Sequence, residues 1–253
     1  FAGIAAKIVN DAFPGGNFYR QPETWDVCAR LLPHALATAD FATALDIMPE
    51  TTGRLFNGAA LYLKTRAQFA EARQLFERAI PIYEKTFGFN HQYIATTLNN
   101  LGATLKDLGD FKSARECVTR ALNIDEAMFG PNHPNVARDV NNLGSILQDL
   151  GNFASAHDHF DRALKIDETA FGPNHPDVAR DINNLGLVLR DLVDLASARD
   201  HFERALTIDE ATFGKDHPNV AIDVSNLGRV LQGLGELAGA RVAFERALTI
   251  DES

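Results

Sequence analysis

Three recurring residue patterns in this 253-residue chain could carry chemistry. Histidines stand at His91, His133, His175 and His217, 42 residues apart, and imidazole is the usual side chain for proton transfer and metal ligation. Acidic pairs follow the same period at Asp125-Glu126, Asp167-Glu168, Asp209-Glu210 and Asp251-Glu252. Such pairs can divide acid and base roles when their environments drive the two pKa values apart. Asparagines recur as Asn99-Asn100, Asn141-Asn142 and Asn183-Asn184, with Asn226 after a serine. Each carboxamide offers two donors and an acceptor. Catalysis and metal binding need unlike residues to converge, whereas these patterns repeat like with like. One histidine per period, three of them in HPNVA, HPDVA and HPNVA, reads as a cap before a proline-started helix. His157 and His159, two apart on a helix, point to different faces. The recurring acids read as a solvated, convex surface. No GxxxxGK[ST] loop, nucleophile dyad or CxxC pair occurs, so no catalytic residue, metal ligand or cofactor is assigned.

The same period dictates the elements that must position these side chains. Val140, Leu143, Gly144 and Leu147 share one helical face, and Phe153, Ala156, Phe160 and Ala163 share that of a second segment. Two amphipathic helices per period follow. Gly151 suits the left-handed turn between them, Asn152 suits the cap of the second, and Pro134, Pro176 and Pro218 suit a first helical position. Val193 replaces the turn glycine in the fourth unit, where positive φ would strain it. A degenerate earlier copy at 54–88 keeps Phe69, Ala72, Phe76 and Ala79.

The Gly, Ala, Ala and Leu, Leu, Phe arrangement resembles the tetratricopeptide family, over roughly residues 49 to 253. That resemblance implies an all-α fold, a right-handed α-solenoid of about five helix-turn-helix units. The units fall at 49–90, 91–132, 133–174, 175–216 and a truncated 217–253. The ordinary unit has about 34 residues; here the surplus lies in RALKIDETAFGPNH, so the second helix runs longer until Gly172 ends it. The 42-residue variant resembles repeats of kinesin light chains and of prokaryotic signalling proteins. Residues 1–48 form a helical cap in which Trp25, Cys28, Leu31, Leu32 and Leu36 cover the first repeat, Pro33 kinks or splits a helix, and PGGNFYRQPE is a loop. ETWDVCARLLPHALATAD resembles the segment joining STAND-class signalling NTPases to their repeats. With Phe1 first and the last unit cut short, the chain reads as part of a longer protein.

Tetratricopeptide first helices line a concave surface, so the resemblance places Asn99, Asn100, Asn141, Asn142, Asn183, Asn184 and Asn226 in a groove. Peptide-binding members carry such an asparagine before the Leu-Gly pair, and here NNLG and SNLG match it. A ladder of carboxamides can read the backbone of an extended peptide. The competing reading has them bonding to neighbouring helices. Gly58 leaves the first unit without its rung. Residues that vary along the same face would supply selectivity: Lys106, Gln148, Arg190 and Gln232 in one row, Arg138 and Arg180 in another. Four of these six are cationic, which favours an acidic ligand, although Asp107, Asp149 and Asp191 adjoin them.

Protein or peptide binding is therefore the expected function, as the sensor or scaffold arm of a signalling protein. End-to-end self-association through Val242, Phe244 and Leu248 of the open last unit is the competing one. The formal net charge of −10 argues against nucleic acid as partner. No apolar run is long enough to cross a membrane. Cys28 and Cys117 read as free thiols in a reducing, cytoplasmic setting.

Overall fold

The computed structural model describes residues 2–14 and 22–252, apart from the side chain of Pro22. Most of the PGGNFYRQPE loop lies outside the described residues. These hold twelve α-helices, a short 3₁₀ turn at Pro22–Thr24 and no strand. They divide into two compact units, residues 1–129 and 130–253.

In the first unit, α1 (Ala2–Ala12) packs on α2 (Trp25–Ala44) and α3 (Pro49–Thr65). After them come α4 (Phe69–Phe87), α5 (Gln92–Asp107) and α6 (Phe111–Phe129), each packed on its predecessor. Of the two expected effects of Pro33, a kink or a split, the split does not occur: helix α2 runs unbroken through it. The proline and the carbonyl four residues back, on Ala29, are both exposed, so water can take the place of the missing bond. Within α2, Cys28 is fully buried while Trp25, Leu31, Leu32 and Leu36 are half-buried.

The second unit holds α7 (Pro134–Asp149), α8 (Phe153–Phe171), α9 (Pro176–Asp191), α10 (Leu195–Phe213), α11 (Pro218–Gly233) and α12 (Leu237–Asp251). Consecutive helices pack in order, and the first helices α7, α9 and α11 also touch one another. Each hairpin closes on a glycine. A Cβ added at Gly144 would come within 2.9 Å of the Phe160 ring, at Gly186 within 2.8 Å of Phe202, and at Gly228 within 2.9 Å of Phe244.

The recurring histidines are the expected helix caps. Nδ1 of His91, His133, His175 and His217 accepts the backbone N–H two residues on, at 3.1–3.2 Å. The rings of His175 and His217 stack on Phe171 and Phe213, the last residues of the preceding helices, with centroids 4.4 Å apart. Glycine ends those helices, as Gly172 at φ 86° shows.

The acidic pairs correct the expectation of a solvated surface. Asp125, Asp167 and Asp209 are buried, at 1%, 2% and 6% exposure, although Asp251 in the last helix is exposed. In the second unit each buried acid faces a buried aspartate of the next first helix: Asp167 faces Asp181, and Asp209 lies near Asp223. The glutamates serve the surface, where Glu168 pairs with Arg204 at 2.5 Å and Glu210 pairs with Arg246. Burial, reinforced by the facing carboxylate, pushes Asp181 up to about 7 and Asp223 up to about 8. For Asp181 this prevails although the adjacent Arg180 works the other way.

Val193 keeps the turn geometry despite its side chain. It sits at φ 66°, against 76° at Gly151, and its N–H bonds the Arg190 carbonyl at 2.9 Å as Gly151 bonds Gln148. The side chain is 77% exposed, so no packing offsets the strain. Val193→Gly should therefore stabilise the chain by about 1 kcal/mol in denaturant unfolding; an unchanged midpoint would mean that this turn carries no strain. The aspartates make a second prediction. An unfolded chain releases their protons near pH 3.8, whereas the folded chain keeps them to about 7 and 8. In that window the folded state binds more protons, so this contribution to stability is lost as pH rises. In parallel melts across it, Asp223→Asn should lose less stability than the parent and exceed it above pH 8. Parallel curves would contradict the assignment.

Candidate functional site

The first-helix asparagines of the second unit bond to one another between repeats. Asn184 Nδ2 donates to Asn141 Oδ1 at 2.8 Å, and Asn226 Nδ2 donates to Asn183 Oδ1 at 3.0 Å. The second asparagine of one repeat thus reaches back to the first asparagine of the repeat before. Asn141 and Asn226 are buried at 7% and 8% exposure, while Asn142, Asn183 and Asn184 are half-buried. Half of the carboxamide capacity of Asn183 and Asn184 remains: among the described residues the Asn183 amide group and the Asn184 carbonyl oxygen have no bond. In the first unit Asn99 is buried and Asn100 half-buried. Asn57 occupies the register of the first asparagine, and its Oδ1 accepts from Thr97 at 3.3 Å. Only the second rung is missing at Gly58.

The cations along this face are held by protein carboxylates. Arg180 bonds Asp181, Asp177 and Asp167 at 2.9, 3.0 and 3.2 Å, and Arg138 bonds Asp139 at 3.1 Å. Asp191 takes both Arg190, at 2.9 Å, and Gln148 of the preceding repeat, at 2.6 Å. Lys64, in the same register one repeat before Lys106, sits 3.7 Å from Asp107. Lys106 is half-buried and Gln232 exposed. An incoming carboxylate would have to displace these partners, so counting cations no longer argues for an acidic ligand on this part of the face.

The structure brings Arg180 and Asn183 together at the rim of a recess of 150 Å³, which Asp209, Asn219 and Asp223 also line. A larger cavity of 370 Å³ opens in the first unit, among residues that sequence reasoning passed over. Arg54 is the main one. It holds the register of Arg138 and Arg180, but Leu55 follows it where Asp139 and Asp181 follow them, and among the described residues it makes no ion pair. Comparing those three positions would have marked it. No group of three or more His, Cys, Asp or Glu among the described residues is placed to hold a metal ion. Burial pushes the Cys117 thiol up to about 11, which keeps it protonated and unreactive. No described helix is long and apolar enough to cross a membrane.

Solved structures with this fold include BtubC (BKLC) from P. vanneervenii, with TM-score 0.74 and 23% identity over 88% of this chain and 91% of that one. A Podosopora anserina protein assigned as a kinesin light chain, with nearly identical TPR-like repeats, gives TM-score 0.66 and 19% identity over 78% of this chain and 93% of that one. A Rap protein complexed with competence and sporulation factor gives TM-score 0.70 and 15% identity, over 88% of this chain and 58% of that one. No curated protein sequence matches. At these identities the likenesses show the fold alone. The tetratricopeptide repeat matches residues 51–127, 93–169, 139–211 and 181–253 in overlapping windows, and with four-fifths of its residues inside them the chain belongs to the tetratricopeptide repeat family.

Proposed function

We propose that the chain is a protein-binding repeat module that holds an extended peptide along the first-helix face, using the carboxamide groups left over from the bonds between repeats. The observation that carries this reading is the division of labour at Asn183 and Asn184. One end of each side chain is fixed by a neighbouring asparagine, the other end has no bond among the described residues, and Asn183 lies beside the recess at Arg180. A carboxamide held at one end is already oriented, so binding costs little side-chain entropy. A free N–H and a free carbonyl suit a peptide backbone, which offers the complementary pair. The Rap protein, solved with a sporulation factor, supports the reading as a likeness of fold. The wider role we propose is the recognition arm of a cytoplasmic signalling NTPase, on the strength of ETWDVCARLLPHALATAD.

A second reading, self-association through the last helix, has one observation in its favour. Leu195 and Leu206 of α10 pack against α11, whereas Leu237 and Leu248 of α12, in the same registers, are 66% and 58% exposed. A monomer at every concentration in sedimentation would remove it.

The first reading is tested with a peptide selected from a random display library on the intact chain. Asn183→Asp keeps the Oδ1 that accepts from Asn226 but loses the amide donors. It should weaken that peptide about tenfold while moving stability by no more than about 0.5 kcal/mol. Failure of any peptide to enrich, or unchanged affinity in Asn183→Asp, would contradict the proposal.

A further inference from the structure

The 370 Å³ cavity of the first unit lies where that unit departs from the repeat pattern, and three departures create it. Gly58 stands where later units carry an asparagine, and a Cβ there would meet the ring of Phe13 at 3.6 Å. Tyr83 stands where they carry the buried aspartate of the second helix. Arg54 stands in the register of Arg138 and Arg180 without their aspartates. The cavity size falls within the range of small-ligand sites.

Tyr83 is 2% exposed, and its ring lies so close to Gly53 that a Cβ there would come within 2.5 Å. Its ring also packs against Tyr93, with centroids 5.3 Å apart. Tyr83 lines the cavity, and its hydroxyl has no hydrogen-bond partner among the described residues. Burial raises its pKa, so it stays a donor; Arg54 lies close enough to act on it electrostatically, and Glu50 opposes Arg54 in that effect. Glu50 makes no ion pair with Arg54, which leaves the guanidinium exposed at the rim. Among the described residues the remaining wall is mixed: Phe13, Leu55 and Leu61 are apolar, and Asn10, Asn57, Gln92 and Thr96 add polar groups.

A phenol donor with no acceptor and a guanidinium with no ion pair among the described residues, both lining a cavity to which Phe13, Leu55 and Leu61 give an apolar part, ask for the same ligand group. We propose that this cavity binds an apolar group of aromatic size that carries a carboxylate, with the apolar body against Phe13 and Tyr93 and the carboxylate on Arg54 and the Tyr83 hydroxyl. A guanidinium matches a carboxylate with two parallel donors. Two sources offer this chemistry: a free aromatic acid, and the C-terminal residue of a peptide. The inference goes beyond the peptide reading above and stands without it, because its residues lie in the first unit and those of the asparagine face tested above lie in the second.

Calorimetric titration of the whole chain tests it with N-acetylphenylalanine and N-acetylphenylalaninamide as probes. The acid should bind and the amide should bind at least about tenfold more weakly. Arg54→Gln should remove that difference. Tyr83→Phe should weaken the acid a few-fold, and Gly58→Leu, whose Cβ has room beside Phe13 and which replaces a poor helix former, should block both probes while circular dichroism stays unchanged. A pentaalanyl-phenylalanine with a free C-terminus then separates the sources: tighter binding than the acetylated amino acid assigns the site to a peptide end, and equal or weaker binding assigns it to a free acid. Equal affinities for acid and amide, absence of binding to the folded parent, or unimpaired binding in folded Gly58→Leu would each overturn the proposal. Loss of the library-selected peptide in Asn183→Asp with N-acetylphenylalanine still bound would leave both readings standing.

Discussion

The rest of the structure depends on how closely the two helices of each hairpin approach. At Gly144, Gly186 and Gly228 the first helix presents bare backbone to a phenylalanine of the second, at separations no Cβ could share. That approach buries Phe160 and Phe202 to 1% exposure or less and fixes the hairpin as a rigid piece. Only rigid pieces stack with a constant offset. The offset in turn brings residues 43 apart within hydrogen-bonding distance, as at Asn141 with Asn184 and Asn183 with Asn226. The asparagine bonds are therefore a result of the glycine contact.

Polar groups at the junctions then make the stacking specific. An apolar interface between near-identical hairpins would tolerate sliding by a turn, whereas a buried aspartate must find its partner or stay desolvated without one. Asp167 and Asp181 meet in this way, with Arg180 bridging both. The stacking thus leans on carboxyl groups that burial pushes up, Asp181 to about 7. Repetition carries this role: what recurs from unit to unit holds the stack together, and on the proposed reading ligand selectivity falls to positions that differ. Arg54, Gly58 and Tyr83 are such positions.

Helices, caps and turns were legible in the sequence because their causes are local. A proline at the first helical position, a histidine before it and a glycine after a phenylalanine each act within a few residues, and the histidine bonds of about 3.1 Å follow that expectation. Val193 was legible as a strained turn for the same reason, although only the structure shows that the turn kept its shape. The acids were misread because their burial comes from a helix one junction away: Asp167 and Asp181 are 14 residues apart, and no helical period relates them. Pro33 does not split its helix because an exposed helix face can hydrate the carbonyl that a proline leaves open. Arg54 escaped because what marks it is an absence, a leucine at 55 where the last three units have aspartate.

The central claim is that carboxamides committed on one side to the repeat stack use the other side for ligand. The most direct measurement follows side-chain amide resonances of isotopically labelled chain as the library-selected peptide is added. The account predicts that the Asn183 amide pair shifts and saturates with the peptide, while backbone resonances of the exposed second-helix residue Glu203 stay in place. Saturating shifts on the second helices with the Asn183 amide unmoved would contradict it.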